Sequence, residues 1–331
     1  MPRLAVALCA LLVLSGCAGA DLAKHKPYPR STIQANAGKE TESSAPTPTD
    51  SADGGPVDPA FAPEKLRVID PCKLLDPDVL AQFGAPGEPS PSGFSRCSNF
   101  MEDKGGKDLA VTVETGQTMT TELKNADKQL AGLKSYEQTL DTSACFVSVI
   151  TQEKPALGLT VQIGYKDGDS CGIGRVVAQS VVELIKKRVG AQTPPRDSLV
   201  TLDPCVLADQ AAVTAAVGSV NRVFPYGLHN CSWVSDGREV TLDLRWSFIP
   251  PDRKFDTKQT EVDLGGGTTG YQLANAGAYP SCSVKWVQRL NPGDKGELVE
   301  VKSAGPKKNE FDRCAAAVGF AKAVLPKIPK G

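Results

Sequence analysis

Histidine is nearly missing from this chain: only His25 and His229 occur in 331 residues. Residues 66–190 contain none, so a Ser-His-Asp relay could not stand in both halves of the chain, each relay needing its own imidazole. No Cys-x-x-Cys occurs. The spacing that lowers a thiol pKa in disulfide oxidoreductases is therefore absent, as are the close ligand pairs of zinc sites. Charge of one sign is lacking too. Lys and Arg number 37 against 38 Asp and Glu, a formal net charge of −1, so no basic stripe is available for nucleic acid. Aromatic residues make up only 6% of the chain. After residue 17 no stretch stays apolar for the ~18 residues that a spanning helix requires.

What the chain does have is cysteine in a rhythm. Of ten cysteines, Cys9 and Cys17 lie in the first 17 residues, and the other eight fall into two sets of four. Cys72, Cys97, Cys145 and Cys171 are spaced 25, 48 and 26 residues apart; Cys205, Cys231, Cys282 and Cys314 are spaced 26, 51 and 32. Each set opens with Asp-Pro-Cys, at Asp70-Pro71-Cys72 and Asp203-Pro204-Cys205. One module is written twice.

The N-terminus reads as an export signal. Arg3 supplies positive charge, Leu4 to Leu14 is apolar but too short to span a bilayer, and Ser15-Gly16 precedes Cys17. Leu14-Ser15-Gly16-Cys17 resembles the bacterial lipobox, which implies a diacylglyceryl group on the Cys17 sulfur and cleavage before it. The expectation is a signal peptide over 1–16 and anchoring at the cell membrane, facing the extracytoplasmic side, where disulfides persist. Residues 17–65 then form a lipidated, disordered tether rich in Ala, Pro, Ser and Thr, with too few large apolar groups to fold. As a coil it reaches roughly 35–40 Å on average. Copy one is expected over 66–190, a stiff Pro194-Pro195 linker over 191–200, and copy two over 201–331.

The elements recur in order. Asp76 and Asp209 suit helix N-caps, with Gly84 and Gly218 as stops. Leu109, Val111 and Val113 alternate with small or polar residues, as do Val240, Leu242, Leu244, Trp246 and Phe248. Such alternation predicts strands with one face on a core. Thr121 to Lys134 looks helical, and helices are expected again at Ile173–Arg188 and Phe311–Leu325, the last with Cys314, Val318, Ala321 and Leu325 on one face. The fold class expected is α+β: two tandem two-layer domains, each an antiparallel sheet with helices on one face.

Asp203-Pro204-Cys205, Cys231-Ser232-Trp233 and Phe311 to Val318 through Leu325-Pro326 together resemble the actinobacterial secreted lipoproteins of unknown function that begin with a D-P-C motif. Residues 201–328 carry the resemblance best; in copy one Asn99 stands where copy two has Trp233. The resemblance implies envelope location and fold, and the family carries no assigned activity that it could lend.

For the cysteines the favoured pairing is local: Cys72–Cys97, Cys145–Cys171, Cys205–Cys231 and Cys282–Cys314, each tying a helix to a nearby strand. Other motifs read structurally. His229 is a loop or strand-edge histidine with no nucleophile beside it. Gly265-Gly266-Gly267 leads into a strand near Tyr271, and Asp167-Gly168-Asp169-Ser170 is a turn reaching Cys171. Trp246 and Trp286 read as core, and Trp233 as packing on a bridge.

The sequence thus offers no catalytic residue, metal ligand set or cofactor motif, and its ligand-binding residues stay unassigned. The leading expectation is a non-enzymatic envelope lipoprotein, held to the membrane by its lipid and binding an envelope protein. Two alternatives stay open: a small-ligand or lipid receptor with an apolar pocket between sheet and helices, and a hydrolase using paired carboxylates.

Overall fold

Asp-Pro-Cys begins each copy because of its local hydrogen bonding. Asp70 Oδ1 accepts from the Cys72 N–H at 2.9 Å, and Asp203 Oδ1 accepts from the Cys205 N–H at 2.9 Å. Proline follows where a helical turn needs no N–H, so the cysteine is presented on a short turn with its donor satisfied. The computed structural model describes residues 55–166, 168–251, 258–291 and 293–330. The signal segment, Cys17 and most of the tether lie outside them.

Copy one runs α1 (Pro63–Arg67), α2 (Pro77–Leu80), β1 (Gly84–Ala85), β2 (Pro89–Pro91), β3 (Arg96–Asp103), β4 (Asp108–Thr118), α3 (Thr120–Asn125), β5 (Lys128–Leu130), β6 (Leu133–Leu140), β7 (Ala144–Glu153), β8 (Ala156–Gly164) and α4 (Ser170–Lys186). Copy two runs α5 (Pro204–Leu207), α6 (Gln210–Val217), β9 (Arg222–Gly227), β10 (Asn230–Ser235), β11 (Arg238–Phe248), β12 (Thr260–Gly265), β13 (Thr268–Asn275), β14 (Ser281–Leu290), β15 (Lys295–Ala304) and α7 (Arg313–Val324). The fold is α+β, with two antiparallel sheets of eight and seven strands. Their orders, β1-β3-β4-β8-β7-β6-β5 and β9-β10-β11-β15-β14-β13-β12, are one topology used twice.

One sheet face packs on a helix layer in each copy. Val111, Val113, Val147, Val161 and Ile163 are fully buried in a core with Val177, Val181 and Ile185 of α4. Leu242, Val284, Trp286, Val299 and Val301 pack likewise with Ala317, Phe320 and Val324 of α7. Four disulfides, Cys72–Cys97, Cys145–Cys171, Cys205–Cys231 and Cys282–Cys314, join these layers with Cα separations of 5.0–5.2 Å. This is the local pairing favoured from the spacing. Among the described residues no helix is long and apolar enough to cross a membrane.

Several boundaries differ from the expectation. The folded part begins before residue 66: Pro56 bridges to Gln152, Asp58 caps a short turn, and Phe61 is buried in the core of copy one. A single aromatic there found a core that composition could not reveal. The linker is shorter than 191–200, because Ala191 bridges to Ile69 and Leu199 is buried in copy two. Buried Glu297 holds that end, accepting from Ser198 Oγ and from Leu199 N at 2.6 Å. Of the helix expected over 121–134, only 121–125 is helical. Ala131 and Gly132, with φ of 52° and 80°, instead make a two-residue hairpin between β5 and β6. Gly84 lies in β1 rather than capping a helix, whereas Gly218, at φ 84°, does follow α6. The buried stripe of α7 is Ala317, Phe320, Ala321 and Val324, one position off the expected face. Trp246 is only half-buried, at the end of β11 where the helix cover stops; Lys295 Nζ lies 4.3 Å from its ring centroid.

The described residues of both copies fall in one compact unit, in which the copies exchange side chains. Leu228, at the β9–β10 turn, belongs to the core of copy one, while Phe94 of copy one packs on the core of copy two. Gly116, in a bulge of β4 at φ 70°, makes room: a Cβ there would meet Leu228 Cγ at 2.1 Å. Buried Arg67 donates from Nε to the Leu228 carbonyl at 3.0 Å and from Nη2 to Asp203 Oδ2 at 2.7 Å. His229 stands beside it, tilted on Phe94 at 5.0 Å. Its Nε2–H donates to the Val200 carbonyl at 2.8 Å, which leaves Nδ1 to accept from Ser95 Oγ at 3.2 Å.

Two predictions follow from the bridges and the interface. Replacing Cys145 and Cys171 together by Ala removes a loop constraint of 26 residues and should cost about 3 kcal/mol in urea unfolding; an unchanged midpoint would refute it. Burial holds His229 down at about pKa 4, helped by the nearby Arg67 cation and opposed by the Val200 bond and Asp203. The unfolded chain therefore takes up the extra proton first as pH falls below about 6.5. The histidine's contribution is full above that value and is lost down to about pH 4, a change of about 3 kcal/mol. A His229→Gln variant should lose this acid slope; an unaltered slope would place its origin elsewhere.

Candidate functional site

The sheet faces turned away from the helices are polar, and matching the two registers shows what the copies share. Cys97 pairs with Val113 and Cys231 with Leu242. Stepping out from these pairs, Ser98 and Thr112 correspond to Ser232 and Thr241, and Glu114 corresponds to Asp243. The hydroxyl pairs are hydrogen bonded in both copies, at 2.8 Å and 3.0 Å. Tyr136 and Tyr271 also correspond, through β6–β7 and β13–β14.

Both shared carboxyls are half-buried on the outer face. Burial raises the Glu114 pKa against the pull of Arg96, whose Nη1 is 3.6 Å away. Burial pushes Asp243 up to about 6, helped by the neighbouring Glu300 carboxylate and opposed by the Arg245 cation at 3.6 Å. A raised pKa means that folding makes the carboxylate charge less favourable than it is in water.

Around this shared position the copies differ. Thr160 and Ser148 of copy one are replaced in register by Glu300 and Lys285. Copy one has an uncharged floor, and its cleft of about 320 Å³ is lined by Arg96, Glu114, Gln117, Gln138, Phe146 and Gln162 among others. Copy two has a charged floor: Glu300 pairs with Arg245 and, at 3.6 Å, with Lys285. Its cleft, also about 320 Å³, is lined by Tyr226, Asn230, Thr241, Asp243, Arg245, Glu300 and Lys302. The two clefts approach the junction from either side. Gln117 precedes Thr118, whose hydroxyl donates to the Pro225 carbonyl at 2.7 Å, and Pro225 precedes Tyr226.

Asp243 and Glu300 face each other directly across β11 and β15. That is the carboxylate pairing a hydrolase would need, but Arg245 binds both acids, so neither stands free beside a substrate bond. On the helical side of copy two a cleft lies between α6 and α7, lined by Phe311, Phe320 and alanines of both helices. His229 is a buried interface residue, with both ring nitrogens engaged by Val200 and Ser95. Asp169 caps α4 through Gly172 N at 2.8 Å, and Gly265–Gly267 forms the β12–β13 turn with positive φ throughout. Asp167 lies outside the described residues. Among the described residues no group of three or more His, Cys, Asp or Glu is placed to hold a metal.

The shared carboxyl escaped sequence reading because its signal is a register, and the register becomes visible only when the strands are paired. Compared with known proteins, the chain matches no family profile and no curated protein. Among solved structures, that of DynU16, a protein in the dynemicin biosynthetic locus, aligns over 82% of this chain and 94% of its own at 12% identity. The TM-score of 0.15 carries no argument about fold or function.

The raised Asp243 pKa yields a prediction. At pH 7 an Asp243→Asn variant should be more stable than the native chain by about 1–2 kcal/mol, since the amide removes a disfavoured charge. The gain should vanish toward pH 4, where the native carboxyl is protonated. Thermal melts at both pH values decide it; a loss of stability at pH 7 would show that the ion pair with Arg245 outweighs desolvation.

Proposed function

We propose that this protein is a lipid-anchored, extracytoplasmic component of the cell envelope that binds a partner protein and catalyses no reaction. Four disulfides fit an oxidising compartment. The Leu14-Ser15-Gly16-Cys17 signal supports anchoring through Cys17. The observation that carries the binding role is the half-buried carboxyl and hydroxyl pair kept at one register on both outer sheet faces, beside open clefts. The clasp between the copies supports it further, because a fixed geometry presents two faces as one surface without the ordering cost of a loose pair.

The test is crosslinking in the native envelope followed by mass spectrometry of the adducts. A specific protein attached near Glu114 or Asp243 is expected, together with release of a Cys17→Ser variant from the membrane fraction. Recovery of the protein alone at every crosslinker length would sink the partner reading. Retention of Cys17→Ser in the membrane would sink the anchor.

A further inference from the structure

Beyond that protein-binding role, we infer that the outer face of the second sheet is a saccharide-binding site, centred on Tyr226, Asn230 and Asp243. The cleft has a flat aromatic wall. Tyr226 is 51% exposed although large and aromatic, and its ring stacks on Phe224 with centroids 5.8 Å apart and planes at 24°. Arg222 lies 4.9 Å from the Phe224 ring centroid. The three side chains stand at alternate positions of β9 on one face, so the shelf is braced before any ligand arrives. An exposed tyrosine held in one orientation offers rigid contact area at small entropic cost. It suits the C–H face of a pyranose, which is apolar without being greasy.

Opposite the shelf are closely set donors and acceptors. Asn230 lines the cleft alongside Asp243, and its Oδ1 has no hydrogen-bond partner within the fold. Such an atom asks for an O–H or N–H donor. Asp243 and Glu300 add acceptors, and Arg245 and Lys302 add donors, all lining the one cleft. Sugar hydroxyls both give and accept hydrogen bonds and can meet this mixture.

Other ligand classes fit less well. The Arg245 and Lys285 cations are already paired with Glu300, so a phosphate would meet carboxylates as well as cations. Every side chain lining the cleft carries a polar or charged group, which suits no acyl chain. Copy one lacks an equivalent of the braced shelf: β1 and β2, which take the place of β9, contain no aromatic residue. The site therefore belongs to copy two.

The test uses the full mature chain bearing Cys17→Ser, purified without detergent. It is applied to an array of immobilised tetra- to hexasaccharides of glucose, galactose, mannose, arabinose and N-acetylglucosamine. Retention on at least one ring type is expected, and titration with that soluble oligosaccharide should show at least tenfold weaker binding for Tyr226→Ala and for Asn230→Ala. Tyr226→Phe should retain most of the affinity, and both weakened variants should keep the native melting temperature within a few degrees. Retention of no ring type, or equal binding by Tyr226→Ala, overturns the inference, as does loss of binding on Gln138→Ala in copy one with Tyr226→Ala unaffected. Envelope crosslinking of Tyr226→Ala separates this inference from the protein-binding role. A protein adduct that persists while the saccharide fails removes the site and leaves the partner.

Discussion

A guanidinium with almost no water around it holds the two halves of this molecule in register. Arg67 is 8% exposed, yet its donors are met by a main-chain carbonyl of the other copy and by the Asp203 carboxylate. Removing Asp203 would leave the buried Arg67 charge with only a main-chain carbonyl to meet it, whereas the Asp203 carboxylate, 36% exposed, could still be met by water. Asp203 serves twice, because its other oxygen caps the turn that presents Cys205. The same motif that starts a domain thus also fastens it to its neighbour. The apolar exchange of Leu228 and Phe94 adds dry contact around the charge, which keeps it shielded.

That clasp gives the outer faces their meaning. Two independent domains on a coil would present their clefts at random. Here a hydrogen bond between Thr118 and Pro225 ties together the strands that carry Gln117 of one cleft and Tyr226 of the other. The duplicated carboxyl also shows how the copies diverged. The inner faces stay apolar because each must cover a helix, whereas the outer faces are free to change. Thr160 against Glu300 and Ser148 against Lys285 are changes that water tolerates and that alter what the surface can bind.

Much of the architecture was legible in the chain. Alternating valines and leucines in β4 and β11 announce half-buried strands, since successive side chains point to opposite faces. Asp-Pro-Cys announces a capped turn, and the cysteine rhythm announces local bridges. Less was legible where distant contacts override local pattern. Residues 126–134 have helical composition, but the left-handed pair Ala131-Gly132 and the edge of β6 turn them into a hairpin. Phe61 sits in a polar, proline-rich neighbourhood and is buried only because the core of copy one has space for it.

The sequence by itself determined the duplication, the α+β class and the helix-to-strand bridges, because periodicity, capping and spacing act over short stretches of chain. Tertiary structure alone decided which polar residues meet. Glu114 and Asp243 become equivalents only through strand register. Asp243 faces Glu300 across a sheet from 57 residues away. His229, one of two candidate bases by composition, is instead a neutral ring wedged between domains. Register, burial and desolvation are properties of the packed chain, and they decide both where a ligand can bind and which protons the site holds.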